Sequence, residues 1–325
     1  MTGVIDQRRE FSLGRINGLG EALANLNSTN GSESICIYVT GSYARGEASE
    51  HSDLDIFLVR EGSKQENQIG RIPEVKIVSS LIDAQNKSGF PDFSDDGEYL
   101  KFHYIDDILR NLGNPHDDYT NAFTARLLLL LESRPVFGEK IYRGFVDGVV
   151  NAYFVDFHDH EKNFRPIFLV NDILRFWRTL CLNYENKRSW RQADPQARAK
   201  GHLQNLKLKF SRLLTCFSAV AILACQEDGL THNKAKNLLT LTPVERVLSV
   251  AKAHGEVSGY LSEFLECYEW FLDKMAAPKD EVLDWILKED ERDIAFNRAR
   301  AFGKVMYHIT FEAAKKAQNE RFLVI

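Results

Sequence analysis

Long apolar runs are scarce in this chain. The longest near-apolar stretch, Leu213 to Cys225, falls short of the roughly 20 residues that a bilayer requires. The first ten residues, Met1 to Glu10, lack the apolar segment of a signal peptide. Neither feature supports a membrane partner, and a soluble, cytoplasmic protein is expected. Cysteine occurs only at positions 36, 181, 216, 225 and 267, without metal-ligand spacing. Each lies in an apolar or helical stretch, which fits reduced core thiols rather than a disulfide framework. No Gly-x-Gly-x-x-Gly and no Gly-Lys-Ser/Thr loop occurs. Their absence argues against dinucleotide oxidoreductases and P-loop hydrolases. Positive charge is not in excess: 41 Lys and Arg face 46 Asp and Glu, a net charge of −5. That balance argues against indiscriminate coating of nucleic acid, so no non-specific DNA binding is expected; a local basic groove remains compatible with it.

What is present is ordinary globular composition, 44% hydrophobic and 27% charged over 325 residues, enough for two domains with their own cores. Phe11 to Leu26 carries apolar residues at helical spacing. Strands are expected at about 35–40 and 54–60, a helix from Pro73 to Asn86, and a third strand over 98–104, where apolar residues alternate. From Asp106 onward every pattern reads as helical, with helices over 139–160, 167–187, 203–227, 243–253, 256–275, 280–290 and 293–318. Neither repeats nor a Pro/Gly/Ser-rich linker divides the chain. The expected organisation is a small α/β domain over residues 1–135 and a helical domain over 136–325.

The most informative segment runs from Gly41-Ser42-Tyr43-Ala44-Arg45-Gly46-Glu47 to Ser52-Asp53-Leu54-Asp55-Ile56-Phe57. Side chains at i and i+2 of an extended chain share a face, so Asp53 and Asp55 project together while Leu54 and Ile56 face the other way. Two neighbouring carboxylates repel unless a cation lies between them, and hard oxygen ligands suit Mg²⁺. Upstream, the apolar strand Ile35-Cys36-Ile37-Tyr38-Val39 runs into Gly41-Ser42. A strand-to-glycine-turn-to-helix junction presents free backbone N–H groups to phosphate. A phosphate cradle beside a metal site points to phosphoryl or nucleotidyl transfer.

Gly41-Ser42, a spacer, and Asp53-Leu54-Asp55 on a strand resemble the signature of the DNA polymerase β-like nucleotidyltransferase superfamily. Arg45-Gly46 and His51-Ser52 are similar to its bacterial minimal and protein-modifying members. The resemblance implies an α+β fold, a small mixed-sheet nucleotidyltransferase domain followed by an all-helical domain. It also implies one or two Mg²⁺ ions held by Asp53 and Asp55, a nucleoside triphosphate as donor, and a hydroxyl acceptor on a protein, an RNA end or a small molecule. Gly41 and Ser42 would meet the β- and γ-phosphates. Arg45 would either neutralise phosphate charge or pair with Glu47. A third carboxylate is expected from a later strand; Glu98 is the first choice, as catalytic and metal-binding residue, and Asp96 the second.

Charge is unevenly spread in the helical part. Lys187, Arg188, Arg191, Arg198, Lys200, Lys207, Lys209 and Arg212 stand against one acid, Asp194. Such a run is commonly a solvated helix face; it could also form a phosphate or acceptor groove, with Lys207 and Lys209 as contacts. Two readings follow: a Mg²⁺-dependent nucleotidyltransferase, or a catalytically inactive nucleotide-binding regulatory or interaction module.

Overall fold

The computed structural model describes residues 3–29, 31–65, 70–93, 97, 100–114, 116–119, 121–188 and 194–323. The chain divides into two compact units, Met1–Val155 and Asp156–Ile325. The first holds α1 (Val4–Ala22), β1 (Ile35–Thr40), α2 (Gly41–Arg45), β2 (Ile56–Arg60), α3 (Arg71–Lys87) and β3 (Phe102–Tyr104), then α4 (Ile105–Arg110), α5 (His116–Tyr119), α6 (Ala122–Leu131), β4 (Ser133–Phe137) and α7 (Glu139–Ala152). Its four strands lie in the order β3-β2-β1-β4. β1 is antiparallel to β2 and β4, whereas β2 and β3 are parallel, so the sheet is mixed.

Alternation along the strands sorts the side chains into two layers. On one face Ile35, Ile37 and Val39 of β1 meet Ile56 and Leu58 of β2, covered by Ile16 and Leu19 of α1 and Ile77 and Leu81 of α3. On the other face Tyr38 stacks on Phe57 with ring centroids 5.4 Å apart, and Tyr142 of α7 tilts against Tyr38 at 5.8 Å. Cys36 points to this second face, where burial pushes its thiol up to about 12, with Glu61 adding to the effect. All five cysteines are free, and four of them are buried.

β4 corrects the reading that everything beyond Asp106 is helical. Ser133-Arg134-Pro135-Val136-Phe137 has little intrinsic strand character and follows directly on a strongly apolar helix. It becomes a strand because β1 supplies its partner. It sits at the sheet edge, where a proline lacking an N–H is tolerated, and Pro135 opposes Tyr38 at a register irregularity. β2 is shorter than expected, beginning at Ile56 rather than at Leu54.

The second unit is helical: α8 (Ile167–Arg188), α9 (Pro195–Lys207), α10 (Leu213–Ala224), α11 (His232–Leu239), α12 (Pro243–Ala253), α13 (Gly255–Ser258), α14 (Leu261–Lys274), α15 (Lys279–Leu287) and α16 (Glu289–Lys316). α10 is the central helix, apolar and buried almost throughout, and it packs against α8, α12 and α16. A stack of rings fills the space beside it: Phe210 lies 4.6 Å from Phe271 and 4.8 Å from Phe302. One π-turn, Leu208–Arg212, joins α9 to α10 and turns Phe210 into this stack. α9 and α11 were not separately legible, although Asp194 caps α9 through its carboxylate before Pro195. Thr242 and Glu245 form a reciprocal capping box at the start of α12. Thr242→Ala should therefore lower stability by about 1 kcal/mol in urea denaturation; an unchanged midpoint would show that the box contributes nothing. Among the described residues, no helix is long and apolar enough to cross a membrane.

Candidate active site

β1 is buried along its whole length and ends at Thr40, whose N–H donates to the Asp55 carbonyl at 2.9 Å. That bond carries the antiparallel pairing one residue beyond β2 and fixes Asp55 beside the turn that follows β1. Gly41 turns the chain with φ +67, the left-handed region that favours glycine. A Cβ on Gly41 would lie 2.5 Å from Asp55 Oδ2, so the Asp55 carboxylate occupies the space that a side chain would take. Strand end, glycine and carboxylate form one packed unit.

Alternation before β2 is as the sequence implies. Leu54 and Ile56 are buried in the core, while Asp53 and Asp55 are exposed. Ser52 turns inward to its own loop and accepts from the Ser49 N–H at 2.9 Å, closing a turn just ahead of the aspartates. Ser42, in the first turn of α2, is half-buried, and the N-cap position belongs to Thr40. Gly41→Ala should strain the backbone by about 1–2 kcal/mol and push the Asp55 carboxylate aside. The expected result is a lower melting temperature; an unchanged melt would contradict this packing.

Arg45 is buried at 7% exposure. Its Nε donates to Glu47 Oε2 at 2.7 Å and its Nη1 to Glu132 Oε2 at 2.7 Å. Of the two roles open to it in the sequence, this geometry has the pairing with Glu47, and it adds Glu132, which the sequence did not suggest. Glu132 lies between α6 and β4, far along the chain, so no local pattern could have marked it. Tyr43 is buried against Phe90, with ring centroids 5.2 Å apart. Burial raises its hydroxyl pKa, Arg15 partly offsets that rise, and Asp53 adds a smaller upward push.

Asp96 and Glu98, the expected third acids, lie outside the described residues. Among the described residues, no group of three or more His, Cys, Asp or Glu side chains stands where it could hold a metal ion. Lys207 is exposed at the end of α9, and Lys209 is partly buried in the π-turn, near enough to Cys181 of α8 to act on its thiol. Both belong to the second unit.

Residues 21–119 match the family model of the nucleotidyltransferase domain. The chain contains such a domain, followed by a helical region. The matched span includes Gly41, Ser42, Arg45, Asp53 and Asp55, and ends before α6. Searches of curated proteins and of solved structures found no match. The nucleotidyltransferase domain therefore rests on the family model, and the geometry around Gly41 adds how its turn and aspartates are built.

Proposed function

We propose that this protein is a Mg²⁺-dependent nucleotidyltransferase, moving a nucleoside monophosphate from a nucleoside triphosphate to a hydroxyl acceptor on a protein, an RNA end or a small molecule. The observation that carries the reading is the exposed pair Asp53 and Asp55, the second packed against the Gly41 turn, inside the matched span. The donor set fits the metal: both groups are carboxylates, and Asp55 fills a space that only glycine leaves open. In this reading Asp53 and Asp55 hold one or two Mg²⁺ ions. Bound metal supplies neutralisation of charge on the triphosphate and on the departing pyrophosphate.

The chain's own groups do the rest. Gly41 lets backbone approach the phosphates, and Ser42 donates its hydroxyl to a phosphate oxygen. Glu98, or Asp96 in its place, takes the role of third carboxylate, positioning the acceptor hydroxyl and receiving its proton. Lys207 and Lys209 serve as cations for phosphate or acceptor. A cytoplasmic location belongs to the same reading.

The test is pyrophosphate release from each of the four nucleoside triphosphates with Mg²⁺, offered total RNA, total protein or a panel of small hydroxyl compounds. Release that depends on one acceptor class supports the proposal and names the acceptor. Tight triphosphate binding without release across all three classes would favour the nucleotide-binding module instead.

A further inference from the structure

A five-residue helix has no stability of its own, because nucleating one turn costs more than its few hydrogen bonds return. α2 is such a helix, and it carries Gly41 and Ser42 at its start. Groups that bind a transition state contribute most when they are fixed beforehand. Something outside α2 must therefore hold it. Its far end is tied in two places to the segment around β4. Arg45 Nη1 reaches Glu132 Oε2 at 2.7 Å, and Arg134 Nε donates to the Ala44 carbonyl at 3.0 Å. The near end is tied to the same segment through β1, since Thr40 pairs with Ser133. Glu47 completes the clamp from within the turn, accepting from Arg45 Nε while its N–H donates to the Ser42 carbonyl at 2.8 Å. The side chains of Arg45, Glu47 and Glu132 are 7%, 4% and 0% exposed.

We propose that Glu132 and Arg45 are positioning residues: the buried Glu132–Arg45–Glu47 bridge holds the Gly41–Ser42 turn in the shape that receives the triphosphate, without itself touching phosphate. This rests on the nucleotide reading above. A planar guanidinium can span two carboxylates in fixed directions, which an ammonium cannot reproduce. Glu132 sits outside the span matched by the nucleotidyltransferase family model, so the clamp joins the domain's signature turn to a strand beyond it.

The measurement is isothermal titration of the full chain with inorganic tripolyphosphate and Mg²⁺, a probe that needs no choice of base. It is run at a temperature where circular dichroism shows each variant folded. Glu132→Gln keeps the shape and leaves the Arg45 charge in place. The expected result is about tenfold weaker binding, the equivalent of about 1.4 kcal/mol, and Arg45→Lys should not restore the unaltered affinity. Unchanged affinity with a lowered melting temperature would make the bridge merely structural and overturn the inference. Stronger binding would also overturn it, since a released Arg45 would then be a phosphate ligand. Should Glu132→Gln fail to fold, Glu47→Gln is measured in its place with the same expectations. Absence of tripolyphosphate binding, and of binding by all four nucleoside triphosphates, to the unaltered chain would overturn the nucleotide reading itself. The outcomes are thus distinct.

Discussion

Asp53→Asn and Asp55→Asn should each lower turnover by at least about a thousandfold while leaving the fold intact. The reason is chemical rather than structural. Asparagine has nearly the shape of aspartate, so the extended segment before β2 is kept, and Leu54 and Ile56 remain buried. Both aspartates are exposed, so the substitution buries no new polar group. Surface changes of this kind ordinarily alter stability by no more than about 0.5 kcal/mol. Under the proposed function, what is lost is a charged oxygen ligand, and with it the hold on the metal that would neutralise the leaving pyrophosphate. Pyrophosphate release read beside a thermal melt separates the two effects. Normal release by both variants would remove these residues from the site.

The largest effect on stability should come from Gly138→Ala. Gly138 precedes α7 with φ +66, and a Cβ there would stand 2.1 Å from the Ile35 carbonyl oxygen and 3.0 Å from Cys36 Cα. Those atoms are backbone of the central strand, so no flexible side chain can move away. Either β4 and α7 separate from β1 or the strand shifts, and a loss of about 4 kcal/mol or more is expected. A domain's whole stability is about 5–15 kcal/mol, so the variant should be largely unfolded at modest urea. Gly62 provides the comparison. It also has positive φ, +80, but a Cβ there meets nothing within 4 Å. Gly62→Ala should therefore cost only the backbone strain, about 1–2 kcal/mol. Equal losses at the two positions would show that the close approach at Gly138 is unimportant.

The parts of the fold that were legible in sequence are those whose signals are local. The all-apolar run Ile35 to Val39 gave β1, Asp-Leu-Asp-Ile gave the alternation into β2, and Pro243 to Ala253 matched α12 end to end. Features that depend on distant partners were not legible. Ser133–Phe137 is a strand only because β1 lies beside it, and Glu132 matters only because Arg45 reaches it. The turn at Gly41 was legible as a glycine position; that its missing side chain makes room for the Asp55 carboxylate was visible only in three dimensions.

In the proposed function, a nucleoside monophosphate is what moves, at a site built around Asp53 and Asp55. The most direct test incubates the protein and Mg²⁺ with nucleoside triphosphates labelled on either the α- or the γ-phosphate, in the presence of total RNA, total protein and a panel of small hydroxyl compounds, and follows label into each acceptor class. Nucleotidyl transfer predicts that α-label becomes attached, that γ-label leaves as pyrophosphate, and that Asp55→Asn abolishes the attachment. Attachment of γ-label, or α-label attachment undiminished in Asp55→Asn, would contradict it.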